Sequence, residues 1–252
     1  MDTLSVVVIT RDEEANIGEC LESAGFADEL VVLDSGSEDR TLEIARRHTD
    51  KVHGRAWTGY ADQRNAAHEL ARCDWILALD ADERVSPELA AEIRELLAVP
   101  RPDVVGYYLL RRVYYRKKWI RHGGFWPVRV LRLFRRGRGR CADRLVHETI
   151  EVEGPTGALR GALDHYTYDS VDDYLRRMER YASLSAEEYL RRGRATGPLR
   201  MSGHALFTFF QMYILRRGFL DGYEGFLLAV LYSFYTFSKY AKLKELTEGA
   251  RV

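Results

Sequence analysis

Three observations predict an α/β fold, with a mostly parallel sheet, helices on both faces and a C-terminal helical region. Short β-branched runs alternate with helix-periodic stretches through the first hundred residues. The run Trp75 to Leu79 ends in three carboxylates within four positions. The chain beyond Gly197-Pro198 is crowded with aromatic and aliphatic residues. At 252 residues the chain can bury a full core, and it divides into one main domain over 1–168 and a helical region over 169–252.

Leu4 to Ile9 is a strand, and Ile17, Cys20 and Leu21 recur at helical spacing after it. Leu30 to Leu33 is a second strand. It ends in Asp34-Ser35-Gly36-Ser37-Glu38-Asp39, where Gly36 permits a tight turn and Ser37 is expected to cap a helix with an acidic first turn. Lys51 to Arg55 reads as a short third strand, and Tyr60 to Arg72 as a helix with Ala66, Ala67, Leu70 and Ala71 inward. Trp75 to Leu79 is the central strand, fully apolar because both of its faces are covered. Ser86-Pro87-Glu88 then starts a helix that Pro100 and Pro102 end. Val104 to Arg112 and Val128 to Phe134 are two more strands, joined through a Gly123-Gly124 hinge, and Leu159 to Leu163 is another. Asp172 to Arg194 is an amphipathic helix with Tyr174, Met178, Tyr181 and Leu184 on one side. Phe226 to Phe237 is apolar nearly all round, so it must bury itself in protein or lipid.

The formal charge of zero hides a segregation. Positions 1–110 hold 23 acidic and 11 basic residues, positions 111–140 hold 12 basic and no acidic ones, and the remainder holds 15 of each. A basic band on a neutral chain points to an anionic surface or ligand. Cys20, Cys73 and Cys141 lie far apart without metal-ligand spacing and read as reduced, structural thiols of a cytoplasmic protein. Leu4 to Ile9 is too short for a secretory core and Asp2 has the wrong charge before it, so no export signal is expected. No apolar run reaches the ~18 residues that would span a bilayer. Arg216, Arg217, Lys239, Lys242 and Lys244 flank the aromatic tail, which suits a segment in the headgroup layer; a buried dimer interface or core helix is the rival.

Ligands of such sheets gather at the carboxyl ends of the strands, and Thr10, Asp34 and Asp80 all lie there. Alternation along the strand lets Asp80 and Asp82 address one ion while Ala81 turns aside. Carboxylates this close are costly to leave ionised and unpaired, so either their protons are shared or, more simply, a divalent cation, Mg²⁺ or Mn²⁺, sits among them; the plain reading is a strand end followed by a helix cap. A metal beside a turn rich in backbone N–H groups suits a diphosphate. The plain alternatives are a helix cap for Glu13, a turn for Asp34, a surface charge for Arg64, and structural roles for His147 and His165. Tyr114, Tyr115, Trp119, Phe125 and Trp126 serve a core, or a platform on which a sugar stacks.

Several separate motifs resemble the family 2 glycosyltransferases of GT-A fold: Ser5 to Ile17, Val31 to Asp39, Gln63-Arg64-Asn65 and Trp75 to Glu83. With Arg132-Leu133-Phe134-Arg135, Val146-His147-Glu148 and Arg217 to Gly222, the chain is similar to the lipopolysaccharide core transferases that add a β-linked glucose. The resemblance implies a donor half over 1–103 and an acceptor half over 104–168. It implies that Thr10 and Glu13 line the base and ribose pocket, that Asp34 with Ser35 binds the pyrimidine side, and that Arg64 approaches the diphosphate. It further implies that Asp80 faces ribose or metal and Asp82 ligates the metal, and His165 is a candidate to complete the metal shell. Inverting transfer by a single displacement needs a base, for which Glu148 is the candidate. The implied partners are a nucleotide-sugar donor, UDP-hexose favoured, and a lipid-linked saccharide at the inner face of the membrane, with peripheral contact through the C-terminal helices. Another envelope polysaccharide or a polyprenyl phosphate is the alternative acceptor. A sugar nucleotidyltransferase would need a glycine-rich, lysine-bearing loop after the first strand, which is missing. No nucleic-acid partner is expected, although basic and aromatic residues interleave over 111–140.

Overall fold

The computed structural model describes residues 1–99, 103–142 and 149–249. In order, these form β1 (Leu4–Thr10), α1 (Ile17–Ser23), β2 (Glu29–Asp34), α2 (Thr41–Ala45), β3 (Val52–Gly54), α3 (Tyr60–Leu70), β4 (Trp75–Asp80), β5 (Glu83–Val85) and α4 (Pro87–Ala98). Then come β6 (Gly106–Tyr115), β7 (Lys118–Ile120), β8 (Val128–Arg135), β9 (Gly139–Cys141), β10 (Ile150–Val152), β11 (Thr156–Tyr168), α5 (Val171–Arg191), α6 (Pro198–Phe210) and α7 (Gly222–Gly249). They make two compact units, one of residues 1–111 and 129–165, the other of 112–128 and 166–252. The segment 112–128 thus belongs with the C-terminal helices.

In the first unit β3, β2, β1 and β4 run parallel in that order, as the alternation of strands and helices predicts, and the sheet continues through β8, β6, β11 and β5. It becomes mixed beyond β4, because β8 pairs antiparallel with β4 and β5 antiparallel with β11. Strand alternation sorts the core onto two faces. Val6, Val8, Leu77 and Leu79 pack with Ile17 and Leu21 of α1 and with Leu89 and Ile93 of α4. Val7, Val31, Ile76 and Ala78 pack on the opposite face with Ala67 of α3 and with Ala71 just beyond its end. Helices therefore cover both faces, and the C-terminal ends of β1, β2 and β4 share one edge. Ser86 caps α4 by accepting from Leu89 N–H, with Pro87 in the first turn, as the sequence signals.

One local expectation is corrected in this unit. Ser37 caps no helix: α2 begins only at Thr41, and the Ser37 hydroxyl donates instead to Asp34 while accepting Asp12 N–H. Between the acidic rim and the cap of α4, Glu83 to Val85 forms the short strand β5.

In the second unit, the end of β6 folds back on β7 as a hairpin. Gly123 and Gly124 take positive φ, Gly123 N–H donates to the Arg216 carbonyl (2.9 Å), and a Cβ on Gly124 would lie 2.4 Å from the Arg216 guanidinium, so the pair is a turn packed against Arg216. Tyr174 and Met178 of α5 share a core with Ile120, Phe125, Leu228 and Leu231. The apolar girth of α7 is therefore only partly used: one stripe enters this core and another faces solvent.

Candidate active site at the strand ends

The loops after β1 and β2 are laced together by hydrogen bonds. Asp12 N–H donates to Ser37 Oγ (2.9 Å), Glu38 N–H to Asp12 Oδ1 (2.8 Å), Glu13 N–H to Thr41 Oγ1 (2.7 Å) and Glu14 N–H to Asp39 Oδ2 (3.0 Å). The register Thr10↔Asp34 sets both loops leaving the sheet at one level. Asp34 is buried and braces its own turn, accepting from Gly36 N–H (2.8 Å), Ser37 N–H (2.9 Å) and the Ser37 hydroxyl. Ser35 donates to the Thr10 carbonyl, and Glu13 accepts from the Asn16 amide. The Thr10 hydroxyl is buried and has no hydrogen-bond partner among the described residues, so its hydrogen-bonding capacity is unspent at the level where the laced loops leave the sheet.

The acid turn beside these loops is held by guanidinium groups. Arg64, carried by α3, reaches Asp80 Oδ1, and Arg132, carried by β8, donates to Asp80 Oδ2 (2.5 Å) and Glu83 Oε1 (3.0 Å). Glu83, fully buried, takes Asp80 N–H on its other oxygen (3.0 Å). Arg84 closes the turn from the far side by donating to the carbonyls of Ala81 (3.0 Å) and Glu83 (3.2 Å). Burial alone would raise the Asp80 carboxyl, but the charges of Arg132 and Arg64, with His165 behind them, hold it far below the usual carboxylate range. Asp80 is therefore an anion matched by two cations, and in this arrangement both its oxygens are engaged.

Asp82 points elsewhere. The pairing of β5 with β11 sets His165 opposite Glu83, and this carries His165 Nε2 to 3.3 Å from Asp82 Oδ1. A carboxylate oxygen and an imidazole nitrogen at that separation are a donor pair that one divalent cation accepts. Among the described residues no group of three or more His, Cys, Asp or Glu side chains is gathered for a metal. Glu148, the candidate base, lies outside the described residues, as does His147. The structure brings Arg64, Asp80, Asp82 and His165 together, and places Thr10, Glu13, Asp34 and Ser35 on the two laced loops.

The sequence reading missed the work of Arg132 and Glu83. A signal existed: Arg132 sits inside the apolar run Leu131 to Phe134, all of it buried, and a cation there demands a buried anion. Cys20 lies under the same turn, its thiol 3.5 Å from the Asp80 carbonyl; burial pushes its pKa up, so it is an inert core group.

Residues 5–166 match the model of glycosyl transferase family 2. The chain belongs to that family. It is 31% identical to the lipopolysaccharide core biosynthesis glycosyltransferase LpsC of Rhizobium meliloti, over 95% of this chain and 91% of that protein. It is 28% identical to an uncharacterized glycosyltransferase of Rickettsia typhi, over all of this chain and 90% of that one. A crystal structure of S. aureus TarS 1–349 aligns with a TM-score of 0.47 at 15% identity, covering 98% of this chain and 92% of that one, a likeness too remote to argue from. Membership makes the protein a transferase of glycosyl groups, and the laced loops and acid turn lie within the matched span.

Proposed function

We propose that the protein moves a hexose, glucose favoured, from a nucleotide sugar, UDP favoured, to a lipid-linked saccharide, with inversion at the anomeric carbon. The observation that carries the reading is the acid turn 80–83, clamped by Arg64, Arg132 and Arg84 so that Asp82 and His165 present one oxygen and one nitrogen side by side. That donor pair fits a divalent cation, which when bound supplies positive charge to the leaving nucleoside diphosphate. Asp80 joins that shell only where Arg64 or Arg132 releases one of its oxygens.

The chain's own residues do the rest. The Thr10 hydroxyl offers a hydrogen bond to the nucleoside, and Glu13, Asp34 and Ser35 shape the pocket around it. Arg64 has a second use in this scheme: freed from Asp80, its guanidinium pairs with a phosphate. In the displacement, a hydroxyl oxygen of the acceptor forms a bond to the anomeric carbon, the bond from that carbon to the diphosphate oxygen breaks with its electron pair, and the hydroxyl proton passes to Glu148. The relative from Rhizobium meliloti is named for lipopolysaccharide core biosynthesis, which supports an acceptor of that class. With a lipid-linked acceptor, the helices of 169–252 would hold the enzyme at the inner face of a membrane.

The test is hydrolysis of UDP-hexoses and their transfer to lipopolysaccharide acceptors, with Mn²⁺ or Mg²⁺ present. Asp82→Asn is expected to lower the rate by roughly a hundredfold or more while the thermal transition stays in place. A variant as active as the native protein, or native activity untouched by chelator, overturns the reading.

A further inference from the structure

The helices of the second unit leave a large apolar surface uncovered. On α7, Tyr223, Phe226, Val230, Phe234 and Phe237 recur at three- and four-residue spacing and are all exposed, with Phe234 at 55%. The core stripe of the same helix, Leu228 and Leu231, is spent on the packing with α5. On α6, Leu199, Leu206 and Phe210 repeat the pattern, with Leu206 at 71%. Phe226 joins the α7 stripe to the half-buried rings of Phe209, 6.1 Å away, and Tyr213, 5.6 Å away, at the turn between the helices. Ile214, Leu215, Phe219 and Leu220 extend the surface around that turn. Soluble monomers rarely leave a contiguous apolar face this long without a partner.

The charge around it selects the partner. From Gly193 to Lys244 the sequence holds seven Lys and Arg residues and two acidic ones, and Glu245 and Glu248 follow at the end of α7, where Glu248 pairs with Lys244. Asp221 and Glu224 are engaged within the unit. Asp221 is buried, accepting Arg121 N–H (3.1 Å) and His122 N–H (2.7 Å), and Glu224 pairs with Lys118 (2.7 Å). The border of the apolar face is therefore cationic, with Arg200, Arg216 and Arg217 exposed. Two copies meeting on this face would set like charges against each other. A surface of anionic lipid accepts both the apolar stripe and the cations. No helix among the described residues is long and apolar enough to cross a membrane, so the pair lies in the headgroup layer.

We infer that the exposed stripes of α6 and α7, with the turn joining them, form a docking face for an anionic bilayer, the turn Phe210 to Phe226 entering deepest. This rests on the lipid-linked acceptor proposed above and names the surface that brings the enzyme to it. The Asp221 clasp on the 121–122 backbone ties this turn to the hairpin of β6 and β7, so the docking element is braced and does not dangle.

Sedimentation of the full-length protein with vesicles of phosphatidylcholine, with and without about one-third phosphatidylglycerol, tests it. The native protein is expected to pellet with the anionic vesicles and to be released by high salt. Leu206→Ser combined with Phe234→Ser, and separately Arg194→Glu combined with Arg200→Glu, are expected to weaken that binding by roughly tenfold or more. Arg194 lies over the Tyr189 ring, 4.5 Å from its centroid, so circular dichroism guards both variants against misfolding, and the charge-reversing pair supplies an arm that leaves the exposed stripes intact. Pelleting of both variants like the native chain overturns the inference. So does a native protein that stays in the supernatant as a dimer which Leu206→Ser with Phe234→Ser disperses. Donor hydrolysis in vesicle-free buffer separates the two proposals. Hydrolysis without pelleting sinks only the docking face, and pelleting without hydrolysis sinks only the UDP-hexose donor reading while supporting the face.

Discussion

Asp80 and His68 meet the same buried surroundings with opposite outcomes. Asp80 gains two guanidinium partners that outweigh its desolvation, so it stays charged. His68, on α3 beneath Phe134, is buried near Arg64 and Arg132; burial first, then those two charges, lowers its pKa from 6.5 to about 3. The folded state thus refuses a proton that the unfolded chain accepts below pH 6.5. Stability is undiminished above that pH and is lost at about 1.4 kcal/mol per unit as the pH falls toward 3. In urea titrations, His68→Leu is expected to gain roughly 2 kcal/mol relative to the native protein between pH 6.5 and pH 5. A difference that ignores pH contradicts the burial. At this scale the sequence was half legible. Asp80 and Asp82 stand out as acids at a strand end, but that one is taken by arginines and the other by His165 depends on register, and residues over 50 positions apart in sequence carry no mark of it.

Among the elements, those built from local periodicity were readable: β1, β2, β4, α3 and α4 fall where apolar alternation and capping residues place them. What escaped depends on distant partners. β5 is three residues long and exists because β11 pairs with it; Ser37 looks like a cap but is consumed by the loop after β1. Contact between α4 and β11 shows how close such packing is. A Cβ on Gly161 would lie 2.5 Å from Leu89 Cα and 2.8 Å from Leu89 N, and Gly161 N–H donates to Glu92 (2.8 Å). Because backbone atoms cannot yield as a side chain can, Gly161→Ala is expected to destabilise by about 1–3 kcal/mol, read as a lowered midpoint in thermal unfolding. An unchanged midpoint would mean that α4 and β11 stand further apart.

For the whole molecule, the charge map in the sequence now divides by purpose. Acids of the first hundred residues cap loops and form the clamped turn, while in the basic band Arg132 is buried as a counter-ion and Lys118 braces the unit that bears the apolar face. A patch count alone could not separate these uses, because pairing is decided by the fold. The central claim is that Asp82 and His165 hold a divalent cation against a nucleoside diphosphate. Anomalous diffraction from a crystal soaked with UDP and Mn²⁺ tests it most directly. The account predicts a manganese peak bonded to both Asp82 and His165 and touching the diphosphate. UDP bound with the metal elsewhere, or with Asp82 and His165 still paired and no metal between them, would contradict it.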